Sequence, residues 1–112
     1  MANVYNATRA PAYQQVTATS TASSLATLLT AANTANGTLA PLTAVPSWAT
    51  AVNITVESGA IRYRADGVPP TTAVGQPVNT TASITINDPL ALAAIMIIAQ
   101  SGSPLLSLEF RG

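Results

Sequence analysis

The feature that most constrains this chain is an alternation of apolar and polar residues with a period of two, recurring in short segments from Ala51 onward. Val52, Ile54 and Val56 alternate with Asn53, Thr55 and Glu57. Ala82, Ile84 and Ile86 alternate with Ser83, Thr85 and Asn87, and Leu106, Leu108 and Phe110 with Ser107, Glu109 and Arg111. A strand sends successive side chains to opposite faces, so each segment reads as a strand buried on one side only. Ile61 and Tyr63 continue the pattern against Arg62 and Arg64, and Ser58-Gly59 supplies the residues of a tight turn before them. A two-residue loop there pairs Val56 with Ile61 and Ile54 with Tyr63. All four then share one face, and Asn53, Thr55, Arg62 and Arg64 share the other. A hairpin is the expectation.

The remaining segments fit around these strands. Gln14 to Thr19 has mild strand character. Ser23 to Ala32 carries Leu25, Leu28 and Leu29 at helical spacing, with Ser23 or Ser24 to cap its start and Asn36-Gly37 to close it. That segment reads as a short helix; the alternative is an ordered arm lying on a neighbouring subunit. Pro41 and Pro46 mark a loop or an edge strand. Asp66-Gly67 is a turn signal, and Val68-Pro69-Pro70-Thr71 is excluded from a central strand. Thr72 to Val78 is read as extended, Asn79 to Thr81 as turn-like, and Asp88-Pro89 as the end of a strand. Leu90 to Ala93 fits a helical turn, followed by a strand from about Ala94; Ser101 to Pro104 is read as a turn before the last strand. Roughly six to eight short strands at regular spacing point to an all-β fold, a small β-sandwich or barrel with one short N-terminal helical segment. Residues 1–20 are read as an extended N-terminal arm and residues 21–112 as a single β-domain.

Composition narrows the function. Of 112 residues 48% are hydrophobic and 7% charged, against about 25% charged in ordinary domains. Four Arg balance four acids, and there is no Lys, His or Cys. Disulfides and Cys-based zinc sites are excluded, as is catalysis that needs a His or a Lys. Tight duplex binding takes about six to ten phosphate contacts, more than these Arg supply, so no nucleic-acid partner is expected; nor is an anionic membrane. A surface with zero net charge resists self-association poorly, which favours a permanent assembly that covers it. The N-terminus shows no basic stretch followed by an apolar run, giving the expectation of cytoplasmic synthesis. The longest apolar run, Pro89 to Ala99, is too short to span a bilayer as a helix.

Few residues offer chemistry. Arg62, Arg64 and Asp66 form the one concentration of charge. Two Arg on one strand face suit a bidentate grip on a carboxylate or a sugar acid; the plainer reading is a wet outer face, with the Arg paired to Glu57 or Asp66. Glu57, Asp66, Asp88 and Glu109 are scattered, and two of them stand where turns favour Asp, so neither a glycosidase pair nor a calcium loop is read. The many Ser and Thr have no His or Lys to activate them. No metal or cofactor is expected, and the chain is read as non-enzymatic. Trp48 and Tyr63 are candidates for stacking on a sugar ring, although Trp48, close to Pro46, fits a core or interface anchor better. The glycosylation patterns at Asn6, Asn36, Asn53 and Asn79 are what a Thr-rich chain produces by chance.

The stretch from Ile61 to Pro77 carries a more specific pattern, R-Y-R-x-D-G-x-x-P-T-x-x-x-G-x-P, preceded by Glu57 and followed by the closing segment Leu105 to Arg111. It resembles short proteins encoded among the virion genes of tailed bacteriophages and prophages, whose N-terminal part is also similar around Leu25 to Leu29. The resemblance covers roughly half of the chain. It implies a small β-domain within the particle: a head decoration or cement protein, or a tail-associated module. It implies no catalytic residues. The partners it implies are the chain itself, as a dimer or trimer, and a major capsid or tail protein, with the virion as location. The alternative expectation is a carbohydrate- or receptor-binding head or tail fibre module using Trp48, Tyr63, Arg62 and Arg64.

Overall fold

A computed structural model describes residues 12–36, 42 and 44–112. Residues 1–11, Gly37, Pro41 and the glycosylation patterns at Asn6 and Asn36-Gly37-Thr38 lie wholly or partly outside the described residues. The fold is all-β with one longer helix. In chain order its elements are β1 (Ala12–Thr17), β2 (Ser23–Ser24), α1 (Leu25–Asn36), β3 (Ala51–Arg64), β4 (Gln76–Val78), β5 (Ser83–Ile86), α2 (Pro89–Ala94) and β6 (Met96–Arg111). The strands form one antiparallel sheet in the order β1-β6-β3-β4, with β2 added to β6 and β5 to β3.

The spine of this sheet is the pair of long strands, β3 with 14 residues and β6 with 16. They run antiparallel from Ala51↔Arg111 to Arg64↔Met96. The expected hairpin at Ser58-Gly59 is therefore corrected: Val56 and Ile61 lie on one strand, and Val56 faces Leu106 while Ile61 faces Ala99. The turn expected at Ser101 to Pro104 is likewise internal to β6. In both places the register slips, between Val56 and Ile61 on β3 and between Ala99 and Leu105 on β6. The physical reason is one of phase. Val56 and Ile61 are both fully buried but five residues apart, an odd interval that a straight strand sends to opposite faces. A two-residue hairpin and a bulge both absorb that shift. Gly59 adopts φ +74°, the left-handed conformation that either solution uses, and Gly102 adopts φ +67° opposite it.

The slip divides the ribbon into two halves, each completed by a strand on either side. In one half β1 flanks β6 over Ala12↔Phe110 to Thr17↔Leu105, and β5 flanks β3 over Val52↔Ile86 to Thr55↔Ser83. In the other, β2 flanks β6 at Ser23↔Ile97, and β4 flanks β3 at Ile61↔Val78. Between the halves the β1–β2 connection stays bonded to β6, Ala18 N–H donating to Pro104 O and Ala99 N–H to Thr19 O. Thus Ala12–Thr17, assigned above to an extended arm, is an edge strand of the domain, with Val16 and Ala18 in the core.

α1 covers the core face. Leu25, Leu28, Leu29 and Ala32 are buried, the i, i+3, i+4, i+7 stripe of an amphipathic helix. Ser24 is its cap, the Oγ accepting from Thr27 N–H at 3.2 Å. These side chains meet Val52, Ile54, Val56, Ile61, Ile97, Leu106, Leu108 and Phe110 in one cluster shared by both halves. Asp88-Pro89, read as the end of a strand, also starts α2, which spans the turn expected over Leu90 to Ala93: Asp88 Oδ1 accepts from Leu90 N–H at 2.9 Å and Pro89 opens the first turn. Among the described residues no helix is long and apolar enough to cross a membrane.

The two bulge glycines differ in what a side chain would meet. A Cβ on Gly59 would approach Pro104 Cγ to 3.0 Å, whereas one on Gly102 would meet nothing within 4 Å. Both substitutions incur left-handed strain of roughly 1–2 kcal/mol; only Gly59→Ala adds a clash with the ring that locks the opposite strand. In urea denaturation Gly59→Ala is expected to lose more stability than Gly102→Ala, by about 1 kcal/mol or more. Equal losses would refute the account of the bend.

Candidate functional site

The residues singled out by the sequence fall into two places. β3 carries Arg62, Tyr63 and Arg64 at its C-terminal end, while Trp48 precedes its N-terminal end. An unbent strand of this length spans roughly 40 Å. Trp48 and Tyr63 therefore do not share a sugar-stacking site. Trp48 is half-buried against the core. It also packs on the last residue, where a Cβ on Gly112 would meet its Cε3 at 2.7 Å, and the backbone beside it is tied by Thr50 N–H to Arg111 O at 2.8 Å. It is an anchor of the sheet end.

Arg64, the last residue of β3, and Asp66 do come together at the start of the loop that returns β3 to β4, while Arg62 bonds the far end of that loop. Arg64 grips Asp66 with two hydrogen bonds, Nε to Oδ1 at 3.1 Å and Nη2 to Oδ2 at 2.5 Å. Asp66 Oδ1 also accepts from Val68 N–H at 3.2 Å, and Gly67 takes φ +81° to make that turn. Thr71 closes the next turn: its Oγ1 accepts from Ala73 and Val74 N–H at 3.2 and 2.9 Å, and its own N–H donates to Val74 O at 2.8 Å. Pro70 is buried. It packs where Gly75, at φ +141°, has no side chain: a Cβ there would lie 3.1 Å from Pro70 Cβ and 3.2 Å from Arg62 Cβ. Arg62 Nη1 fixes the same point by donating to Gly75 O at 2.8 Å. Pro77 then enters β4, an edge strand, where a missing N–H is tolerated.

The Arg, Asp, Gly, Pro and Thr residues of the R-Y-R-x-D-G-x-x-P-T-x-x-x-G-x-P segment thus shape this loop, while Tyr63 packs against the core. A groove of about 450 Å³ runs beside it, lined by Tyr63, Arg64, Asp66, Val74, Gly75 and Gln76. Its charges answer one another. The Arg64 guanidinium that suited a carboxylate ligand already holds Asp66, and Arg62 faces the loop backbone; its Nε is buried without a partner among the described residues. The Arg64 hydrogen bonds, with the bond from Val68 N–H, hold the Asp66 carboxyl down at about 2. The same pair raises Arg64 above its ordinary value. The loop's outward surface is mixed: Val68 and Val74 are 46% and 51% exposed, and Asp66, Thr71, Thr72 and Gln76 are exposed around them.

A second cluster escaped the sequence. On the outer face of the sheet Glu57 Oε2 accepts from Gln15 Nε2 at 3.0 Å and from Ser107 Oγ, whose oxygen also bonds the Tyr13 hydroxyl at 3.0 Å. These residues come from β1, β3 and β6, and only the strand register unites them. A carboxylate beside a serine is the beginning of a nucleophile–base pair. Here it lies on an exposed face rather than in a cleft, with Tyr13 54% exposed, and the four groups satisfy one another as a cross-strand network. Among the described residues no group of three or more acids stands ready for a metal ion.

No family model, curated protein or solved structure matches the chain.

Asp66 titrates below its ordinary value of 3.8 when folded. A depressed carboxylate contributes stability that is present above the unfolded pKa and lost as pH falls through the folded one. Thermal melts of the native chain are expected to lose this contribution between about pH 4 and pH 2, less steeply in high salt because the pair is exposed. Asp66→Asn should remove that part of the acid dependence. An unchanged acid profile would show that the Arg64–Asp66 bond is not formed in solution.

Proposed function

We propose that this chain is a non-enzymatic structural subunit of a bacteriophage virion, a decoration or cement protein that self-associates and binds the head shell. The observation that carries the reading is the β3–β4 loop. The segment responsible for the resemblance to virion proteins builds a turn-rich element in which Arg62, Arg64, Asp66 and Thr71 bond within the loop, and it exposes Val68 and Val74 among Asp66, Thr71, Thr72 and Gln76. A loop fixed before contact loses little entropy on binding, so even a small apolar tip contributes net affinity. The scarcity of charge supports the same reading. Two of the four Arg are paired within two residues of themselves, Arg64 with Asp66 and Arg111 with Glu109. That leaves few charges to keep a free subunit dispersed. The subunit is made in the host cytoplasm and resides in the virion.

The test is sedimentation of the purified subunit with the empty head shell of the phage or prophage that encodes it. Co-sedimentation and a raised shell melting temperature are expected, little affected between about 0.1 and 1 M salt because few charges take part. Val74→Asp at the loop tip should weaken binding by about tenfold or more with the subunit's own melting temperature unchanged. A shell that neither binds the subunit nor gains stability from it would overturn the proposal.

A further inference from the structure

The two strands on the outer side of β3 end the sheet in different ways. β4 carries Pro77 and is backed by the rigid loop. β5 has no such protection. It is bonded only to β3 among the described strands. From Asn79 to Asn87 it contains no charge and no proline. An edge strand without Lys, Pro or a bulge along it is a template for another strand.

The hydrogen-bond phase shows which groups of β5 are free. Val56 N–H donates to Ala82 O, and Val56 O accepts from Thr81 N–H. The antiparallel pairs Ile54↔Ile84 and Val52↔Ile86 follow at two-residue steps, so Ile84 and Ile86 direct their backbone groups to β3, as Ala82 does with its C=O while its N–H closes the turn onto Asn79 O. Ser83, Thr85 and Asn87 therefore turn their N–H and C=O groups outward, away from the sheet. Their side chains lie on the polar outer face, while Ile84 and Ile86 are half-buried at the rim of the core.

We infer that β5 is the edge by which two copies of this chain join: two β5 strands pair antiparallel about a two-fold axis through Thr85. In that register Thr85 faces Thr85 of the second copy, Ser83 faces Asn87, and Ile84 faces Ile86. Each outward-facing pair exchanges two backbone hydrogen bonds. A register shifted by two residues in either direction loses one of these pairs, because Thr81 N–H already serves Val56 and Pro89 has no N–H. The two-fold sets β-branched Ile against Ile on one face and hydroxyl against hydroxyl on the other, both favourable cross-strand partners. No like charges meet. A second copy satisfies the edge because the pattern is self-complementary, as a two-fold interface requires. The contact is shorter than a standard interface of about 1,600 Å², so the pair should dissociate on dilution. This inference rests on the proposed assembly role and names the contact through which subunits join.

The test uses the native absence of cysteine. In an antiparallel bonded pair Cα atoms stand about 5.5 Å apart, within disulfide reach. Thr85→Cys should cross-link to a dimer under mild oxidation, and Ser101→Cys, exposed within β6, should not. Light scattering over a dilution series should show the wild type passing from twice 11.3 kDa to 11.3 kDa. In Thr85→Lys, two ammonium groups face each other across the axis, and the midpoint should move to about tenfold higher concentration with the melting temperature of the monomer retained. A wild type that stays associated while Thr85→Cys cross-links no faster than Ser101→Cys overturns the β5 assignment and leaves the assembly role standing. A wild type that is monomeric throughout overturns it too, and shell binding then decides the assembly role separately. A β5 dimer that fails to bind the shell upholds the edge and removes the virion reading.

Discussion

The structure depends on a change of phase in the middle of its two longest strands. β3 and β6 are each long enough to run the length of the domain, and each must present buried residues to one core from both of its halves. A strict two-residue alternation does not do this with the residues present. Val52, Ile54 and Val56 occupy even positions, and Ile61 an odd one; Ile97 and Ala99 are odd, and Leu106, Leu108 and Phe110 even. All of them are buried. The register slips around Gly59 and Gly102 restore the common face, and the cost of the unpaired ladder positions there is offset by one continuous core instead of two small ones. Everything outside the ribbon follows from that geometry. β1 and β5 complete one half, β2 and β4 the other, and α1 closes the core face.

This same phase change marks the limit of what the sequence disclosed. The all-β class, the helix capped by Ser24, the strand from Ser83 to Ile86, and the helical turn opened by Asp88-Pro89 were legible because each has a local cause: periodicity, a capping side chain, a fixed proline φ. The strand-internal bulges were not. Ser58-Gly59 and Ser101-Gly102-Ser103-Pro104 carry the residues of turns, and a turn and a bulge ask the same things of a chain, a glycine with positive φ and a shift of apolar parity. Which one forms is decided by what lies opposite. β6 pairs with β3 on both sides of Gly59, and a hairpin there would break that pairing in two. The decision is made by contacts some fifty residues apart, as in Ser58 to Leu105, beyond the reach of any local pattern. The Glu57–Gln15–Ser107–Tyr13 network was hidden for the same reason.

The R-Y-R-x-D-G-x-x-P-T-x-x-x-G-x-P segment shows the opposite case, where the residues were visible but their task was not. Arg and Asp in proximity suggest a site for a ligand. In the fold they satisfy each other and the loop backbone, and the glycines, prolines and threonine set turns around them. Arg64 is paired with Asp66, whereas Arg62 is half-buried beneath the loop and bonds its backbone. Physical distinctiveness of a motif thus does not identify a binding site; it can equally reflect the number of conditions needed to hold a connection of this length rigid without helix or strand. Here rigidity leaves two valines forward on a loop that has little freedom to withdraw them.

The two edge segments beside β3 are protected to different degrees. A chain with so little charge has few of the usual means of keeping sheets apart, since Lys and Glu at an edge are the commonest block. β4 is closed by Pro77 and by a loop that packs against β3 itself. β5 lies on the same side of the same strand, with no charge or proline between Asn79 and Asn87 and with its outward backbone groups on Ser83, Thr85 and Asn87. Protection exists in this molecule, and it is applied to one segment and not to its neighbour. In a neutral protein such a difference controls where association begins: the closed segment excludes disordered sheet growth, and the open one is short enough, bounded by the bend at Thr81 on one side and Pro89 on the other, to accept one partner strand in one register. In the proposed dimer a limit on strand length is therefore a limit on assembly, because an edge this short pairs once and stops.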